Sequence, residues 1–251
     1  MADAGSAPGG RNRGRGVERV APPPSLAAIV TDQLRELIVT GSLALGERLF
    51  ENTLAEQLSV SRTPVRKAVR RLATERLIEV RPQRGTFVFD LDADGIRALC
   101  ELREALETGA LRLAWHRQDE ALVQDLQRIN AAGEVASARS AAAYQPLDHA
   151  FHQTLIAAAA NPELLDAYAR VAGRVRALRY RYTRTVEEVQ HSQAAHRRIV
   201  AHLAAGDVDG STRAMREHVH DTLHRFTRRH AERHSTPPPP AAPPSGSIAT
   251  T

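Results

Sequence analysis

Asp148 and His152 stand four residues apart in LDHAFHQTLIAAAA, a stretch of helical pattern, so both side chains leave the same face about one turn apart. A carboxylate and an imidazole placed in this way can grip a divalent ion from two points. His196, in AHRRIVAHLAAGD, and His218, in MREHV, each fall close to the apolar stripe of a later helix. Taken singly, each histidine is better explained as a hydrogen-bonded core residue. Taken together, the four supply one oxygen and three nitrogens from three helices, a donor set for a borderline metal that leaves positions for water or a ligand carboxylate. Zinc is the expected ion, and nickel or manganese would suit the same donors. His149, His202 and His220 fall off the required faces and are read as surface or supporting residues.

Positioning these residues requires a helical scaffold, and the second half of the chain supplies one. Helical periodicity runs through 94–116, 119–138, 142–159, 162–185, 189–205 and 208–230, with breaks expected at Asn161-Pro162, Gly206 and Gly210. Neither strand-like alternation nor an internal repeat interrupts it, so an antiparallel helical bundle is expected. Cys100, beside Leu99, reads as a small core residue; as the only cysteine it rules out an intramolecular disulfide. The ends differ in composition: residues 1–24 are rich in Gly, Pro and Arg, and 232–251 in Pro, Ala and Ser, so both read as disordered tails. Arg11, Arg13, Arg15 and Arg19 would make the first of these a basic arm.

A different chemistry is written into LAEQLSVSRTPVRKAVRR, residues 54–71. It reads as two short helices joined by a tight turn, the layout of a helix-turn-helix DNA reader. Val65, Ala68, Val69 and Leu72 form one apolar face, which leaves Arg62, Arg66, Lys67, Arg70 and Arg71 free for phosphate. Ser61 or Thr63 can cap the second helix through a side-chain oxygen, and Pro64 is tolerated in its first turn. Two β-prone runs, 76–80 and 86–89, flank Arg81-Pro82-Gln83-Arg84-Gly85 and read as a two-stranded wing with a basic tip. Leu26, Ile29, Val30, Leu34, Leu37 and Ile38 recur at helical spacing and give a first helix to close the core. Between residues 60 and 86 eight Arg or Lys face two Glu, a charge of +6, whereas the whole chain carries only +5. From residue 91 onward twenty basic residues nearly balance nineteen acidic ones, so the positive field is concentrated on the presumed DNA face.

The stretch LAEQLSVSRTPVRKAVRRLATERLIEVRPQRGTFV resembles the winged-helix domain of the GntR family of bacterial transcription regulators. The resemblance implies that Ser61, Arg62, Thr63 and Arg66 sit at the base- and phosphate-contacting start of the recognition helix, with Arg84 and Gly85 at the wing tip in the minor groove. Ser59 stands where the family's turn usually has Gly, Lys67 where the recognition helix usually has Glu, and Asn52 where some members carry a DNA-contacting Arg. The bundle in turn resembles the all-helical FCD ligand-binding domain of one large GntR subfamily, through LDHAFHQTLIAAAANPELL, AHRRIVAHLAAGD and AMREHV. That resemblance assigns a metal to Asp148, His152, His196 and His218 and places Arg103 near an effector cavity, where its guanidinium could pair with an organic acid. Ala195 departs from the Glu that commonly precedes the third ligand.

The expected fold is therefore mainly α: a winged helix-turn-helix over 25–90, a linker over 91–97, and an all-α antiparallel bundle over 98–231. The function implied is a DNA-binding regulator, not an enzyme, that binds a palindromic double-stranded operator as a homodimer and responds to a small carboxylate metabolite. A dedicated metal sensor and a metal-dependent hydrolase fused to a DNA reader are the alternatives. With neither an apolar signal segment nor a stretch able to span a bilayer, the expected location is the cytoplasm, with no membrane partner.

Overall fold

Ser25 accepts a hydrogen bond from the amide of Ala28 and so starts the first helix, α1, over Leu26–Thr40. In this computed structural model, residues 23–117 and 120–235 are described. After α1 come strand β1 (Arg48–Leu49), helix α2 (Glu51–Gln57), helix α3 (Arg62–Thr74) and strands β2 (Ile78–Arg81) and β3 (Gly85–Val88). Val65, Ala68, Val69 and Leu72 of α3 are buried against Val30, Leu34 and Ile38 of α1, as their spacing requires. Leu26 and Ile29 differ from expectation: at 52% and 41% exposure they lie outside that core.

The wing has three strands, not two. Strand β3 pairs antiparallel with β2 on one side and with the two-residue β1 on the other. A two-residue strand offers too little alternation to register in sequence, and it forms because β3 already presents a free edge. Ser61 occupies the cap position of α3, but its side chain makes no capping bond. Its hydroxyl is thereby left for other partners. Ser59, in the turn, has φ +52°, the left-handed conformation that explains why a glycine would be at home there.

Six further helices follow: α4 (Ala93–His116), α5 (Glu120–Arg139), α6 (Ala141–Ala158), α7 (Pro162–Tyr182), α8 (Val186–Ala204) and α9 (Val208–Ser235). Helix α4 packs on α6, α7 and α9, while α5 packs on α6 and α8. Four expectations shift. The 91–97 linker is largely helical, because Asp92 caps α4 at Gly95 and brings its first turn up to the wing domain. Helix α8 begins three residues early, where Thr185 and Glu188 form a reciprocal capping box. Gly210 is not a break: its amide donates to Asp207 within the first turn of α9, and a Cβ there would fall 2.0 Å from Asp207 Oδ2. Finally, α9 continues to Ser235, into the stretch read as a tail. The basic-arm arginines 11, 13, 15 and 19 and the remainder of both tails lie outside the described residues.

Helix α7 joins the two domains. Gly173 lets it approach Leu77 at the base of the wing, since a Cβ there would lie 2.9 Å from Leu77 Cδ1. Arg176 pairs with Glu36 of α1 at 3.0 Å. The Arg181 guanidinium donates to the carbonyls of Ile38, Val39 and Leu43, where the unpaired carbonyl ends of α1 concentrate negative partial charge.

Candidate functional site

Ser61, Arg62, Thr63, Arg66 and Arg70 are all exposed at the start and outer face of α3, with Arg84 exposed at the wing tip. Arg71 and Arg81 are tied to Glu75 and Glu79, whereas Arg62, Lys67, Arg70 and Arg84 pair with no carboxylate among the described residues. Arg66 meets Glu51 at 3.3 Å in an exposed pair worth little in water. Gly85, at φ +113°, sits with its missing Cβ only 3.1 Å from Arg48 Nε, so a larger residue would both strain the backbone and push that arginine away. A helix N-terminus and an arginine-tipped wing thus face outward together, an arrangement suited to a duplex groove and its flanking phosphates.

His196 lies 44 residues beyond His152 and His218 a further 22 beyond His196, and the bundle closes both distances. Asp148 and His152 come from α6, His196 from α8 and His218 from α9, all between 0% and 2% exposed. The ligating atoms of the three histidines lie within 4.8 Å of one another. Asp148 Oδ2 is 3.9 Å from His152 Nε2, and Oδ1 is 3.9 Å from His196 Nε2. Ligands on a tetrahedral ion with bonds of about 2.0–2.1 Å stand roughly 3.4 Å apart, so small side-chain rotations would complete the set. His196 Nε2 is buried with no hydrogen-bond partner, an arrangement that is costly unless something accepts its lone pair. The three histidines could therefore hold a metal ion, with the Asp148 carboxylate 3.9 Å from two of them.

Supporting groups aim these rings. Glu107 Oε2 lies 3.1 Å from His152 Nδ1, and the Tyr144 hydroxyl lies 3.2 Å from His196 Nδ1, which leaves Nε2 of each facing the cluster. Phe151 stacks on the His196 ring with centroids 3.9 Å apart. Arg179 of α7 ion-pairs with Asp148, and Ser192 donates to it at 3.4 Å. Burial pushes all three imidazoles below their usual pKa, His196 and His218 well below it, so they are held neutral, the form that ligates. Burial acts the other way on Glu107, but Arg103 and His152 outweigh it and keep the carboxyl well below the usual range.

Arg103 is fully buried in this cluster. Its Nε donates to Glu107 at 2.8 Å, and its Nη2 lies 2.9 Å from His152 Nε2 and 3.3 Å from His218 Nε2. Tyr168 donates to the same Glu107 at 2.9 Å. Glu107 stands one turn from Arg103 on α4, whereas sequence spacing carries no signal for Arg179, Tyr144 or Tyr168, which reach the cluster from α7 and from the far end of α6. His149 is half-buried, His202 pairs with Asp207, and His220 pairs with Glu104, so none of the three joins the cluster. Cys100 is buried, which pushes its thiol up to about 11 and makes it a poor nucleophile.

Residues 26–88 match the model of the family described as bacterial regulatory proteins, gntR family, and residues 98–221 match the FCD domain. A transcriptional regulator from an unstable DNA locus of Streptomyces ambofaciens is 35% identical over 188 residues, spanning 74% of this chain and 79% of its own. The chain belongs to the GntR family of bacterial regulators. A second relative of this GntR protein, described as a probable D-xylose utilization operon repressor of Paenarthrobacter nicotinovorans, is 31% identical over 194 residues, 76% of this chain and 85% of its own. The solved structure of Escherichia coli McbR/YncC superposes with a TM-score of 0.72 at 22% identity, covering 82% of this chain and 99% of that one. The fold of this GntR protein is thus a winged helix-turn-helix joined to an FCD bundle, and its work is DNA-binding transcription regulation. The hydrolase alternative is set aside, because both families and these relatives are regulators rather than enzymes. No helix among the described residues is long and apolar enough to cross a membrane.

Proposed function

We propose that this GntR regulator binds a palindromic operator as a homodimer in the cytoplasm, and that a small carboxylate metabolite bound beside a divalent metal in the bundle alters its affinity for DNA. The observation that carries this reading is the buried convergence of Asp148, His152, His196 and His218 with the Arg103 guanidinium against them. Bound there, the ion would act as a Lewis acid that docks a carboxylate, and zinc is the first expectation. Asp148 and the imidazoles hold it, Glu107 and Tyr144 orient the rings, and Arg103 supplies a fork for the second carboxylate oxygen. Ser61, Arg62, Thr63, Arg66, Arg70, Arg84 and Gly85 form the DNA contact, and two such faces in a two-fold dimer would read two half-sites.

A ligand controls DNA affinity only if it favours one arrangement of the DNA-binding domains over another. Helix α7 is suited to carry that preference, because Arg179 pairs with Asp148 while Arg181, two residues on, bonds the end of α1. The test is operator binding by fluorescence anisotropy at fixed salt, with and without chelator, on titration with gluconate and citrate as probe carboxylates. A metal-dependent change in affinity with carboxylate supports the reading. A change driven by the ion alone would favour the metal-sensor alternative, and indifference to both would remove the effector role from this site.

A further inference from the structure

A groove outside these two sites lies between the domains. It encloses about 790 Å³, with Gly41 and Ala44 beyond α1 on one wall and the ends of α7 and α9 on the other. Four arginines (181, 184, 229 and 233) line it against a single acidic residue, Glu232. Arg181 is spent on the α1 carbonyls, but Arg184 and Arg233 are exposed and pair with no carboxylate among the described residues. Arg229 is fixed by Glu188 at 3.0 Å and Glu232 at 3.2 Å, yet its Nε is buried without an acceptor. Tyr182, only 4% exposed, also lines the groove, and its hydroxyl too has no partner.

Buried donors without acceptors cost free energy unless something brings an acceptor to them. Here the two such donors belong to residues that line the same groove as two unpaired guanidinium groups, and an oxygen-rich anion is the partner that would suit them all. We propose that this groove binds a phosphorylated small molecule, its phosphate held by Arg184, Arg233, the Tyr182 hydroxyl and Arg229 Nε. A phosphomonoester offers two charges and three acceptor oxygens, which matches this donor set better than the two oxygens of one carboxylate. The volume suits a metabolite, since ligand pockets commonly enclose about 300–1,000 Å³. One wall belongs to the DNA-reading domain and the other to the bundle, so an occupant would favour one relative placement of the two. This second input is separate from the Asp148–His cluster.

Isothermal titration of the full chain with inorganic phosphate and with glucose 6-phosphate, at ionic strength matched with chloride, tests this. Saturable binding is expected, weakened at least about tenfold in an Arg184→Gln/Arg233→Gln double variant and weakened in Tyr182→Phe. His152→Ala should bind as the parent does. The absence of saturable binding would overturn the proposal, as would equal binding by parent and double variant. Loss of binding in His152→Ala would move the anion to the metal cluster, and citrate binding as tightly as phosphate would remove the phosphate assignment. A double variant that loses operator affinity in phosphate-free buffer would make the groove a DNA contact instead.

Discussion

Nη2 of Arg103 lies 2.9 Å from Nε2 of His152, so the guanidinium and an ion address the same imidazole lone pair. Arg103 must therefore shift when an ion is bound, and Glu107, 2.8 Å from its Nε, is the pivot that keeps the charge paired. Removing Arg103 alone strands a buried carboxylate. Arg103→Ala should lower stability by about 3–5 kcal/mol in urea unfolding, and an Arg103→Met/Glu107→Gln double variant should recover much of that loss. Both should bind operator but ignore carboxylate. A double variant that responds to gluconate or citrate as the parent does would make Arg103 purely structural.

Removing metal should destabilise the bundle, because an ion that binds only the folded state adds RT ln(1 + [L]/Kd) to stability. Chelation is expected to lower the Tm of the parent, and His152→Ala should lose most of that difference. His149→Ala, which alters a residue outside the cluster, should behave as the parent does. Elemental analysis finding no divalent metal, with a Tm indifferent to chelator and to added zinc, nickel or manganese, would falsify the site.

Acid should weaken the fold in a defined window. His152, His196 and His218 have folded pKa values below the unfolded value of about 6.5, so below that pH the unfolded chain binds more protons than the folded one. Stability is then fully present above pH 6.5 and falls with pH below it, by up to about 1.4 kcal/mol per pH unit for each histidine. Denaturation in chelator at pH 7.5, 6 and 5 measures the slope. A flat profile would mean that the rings are not buried neutral.

On the DNA face, Arg62 is exposed and free of ion pairs among the described residues, whereas Arg66 shares Glu51. Arg62→Ala should weaken operator binding by about 1–3 kcal/mol if it reads a base edge. Loss of a phosphate contact would instead weaken all sequences alike and reduce the salt slope by about one unit. Anisotropy over a salt series separates the two, and unchanged affinity in both the Arg62→Ala and Arg66→Ala variants would displace the proposed face.

A gentler test reaches the turn. Ser59 holds φ +52° where glycine would be unstrained, so Ser59→Gly should leave stability unchanged or raise it by up to about 1 kcal/mol. A clear loss would show that the Ser59 side chain contributes more than its backbone costs.

The sequence by itself determined the elements and the residue types. Helical spacing brought Val65, Ala68, Val69 and Leu72 to one face, and a four-residue interval put Asp148 and His152 on another, because local periodicity is set by backbone geometry alone. Composition likewise separated the charged DNA face from the nearly neutral bundle. Tertiary structure alone decided what those faces meet. The strand β1, the aim of Arg103 into the imidazoles, the Arg179 partner of Asp148 and the hold of Arg181 on α1 all join residues far apart in the chain. Their positions follow from how helices pack, and no short window of sequence encodes that.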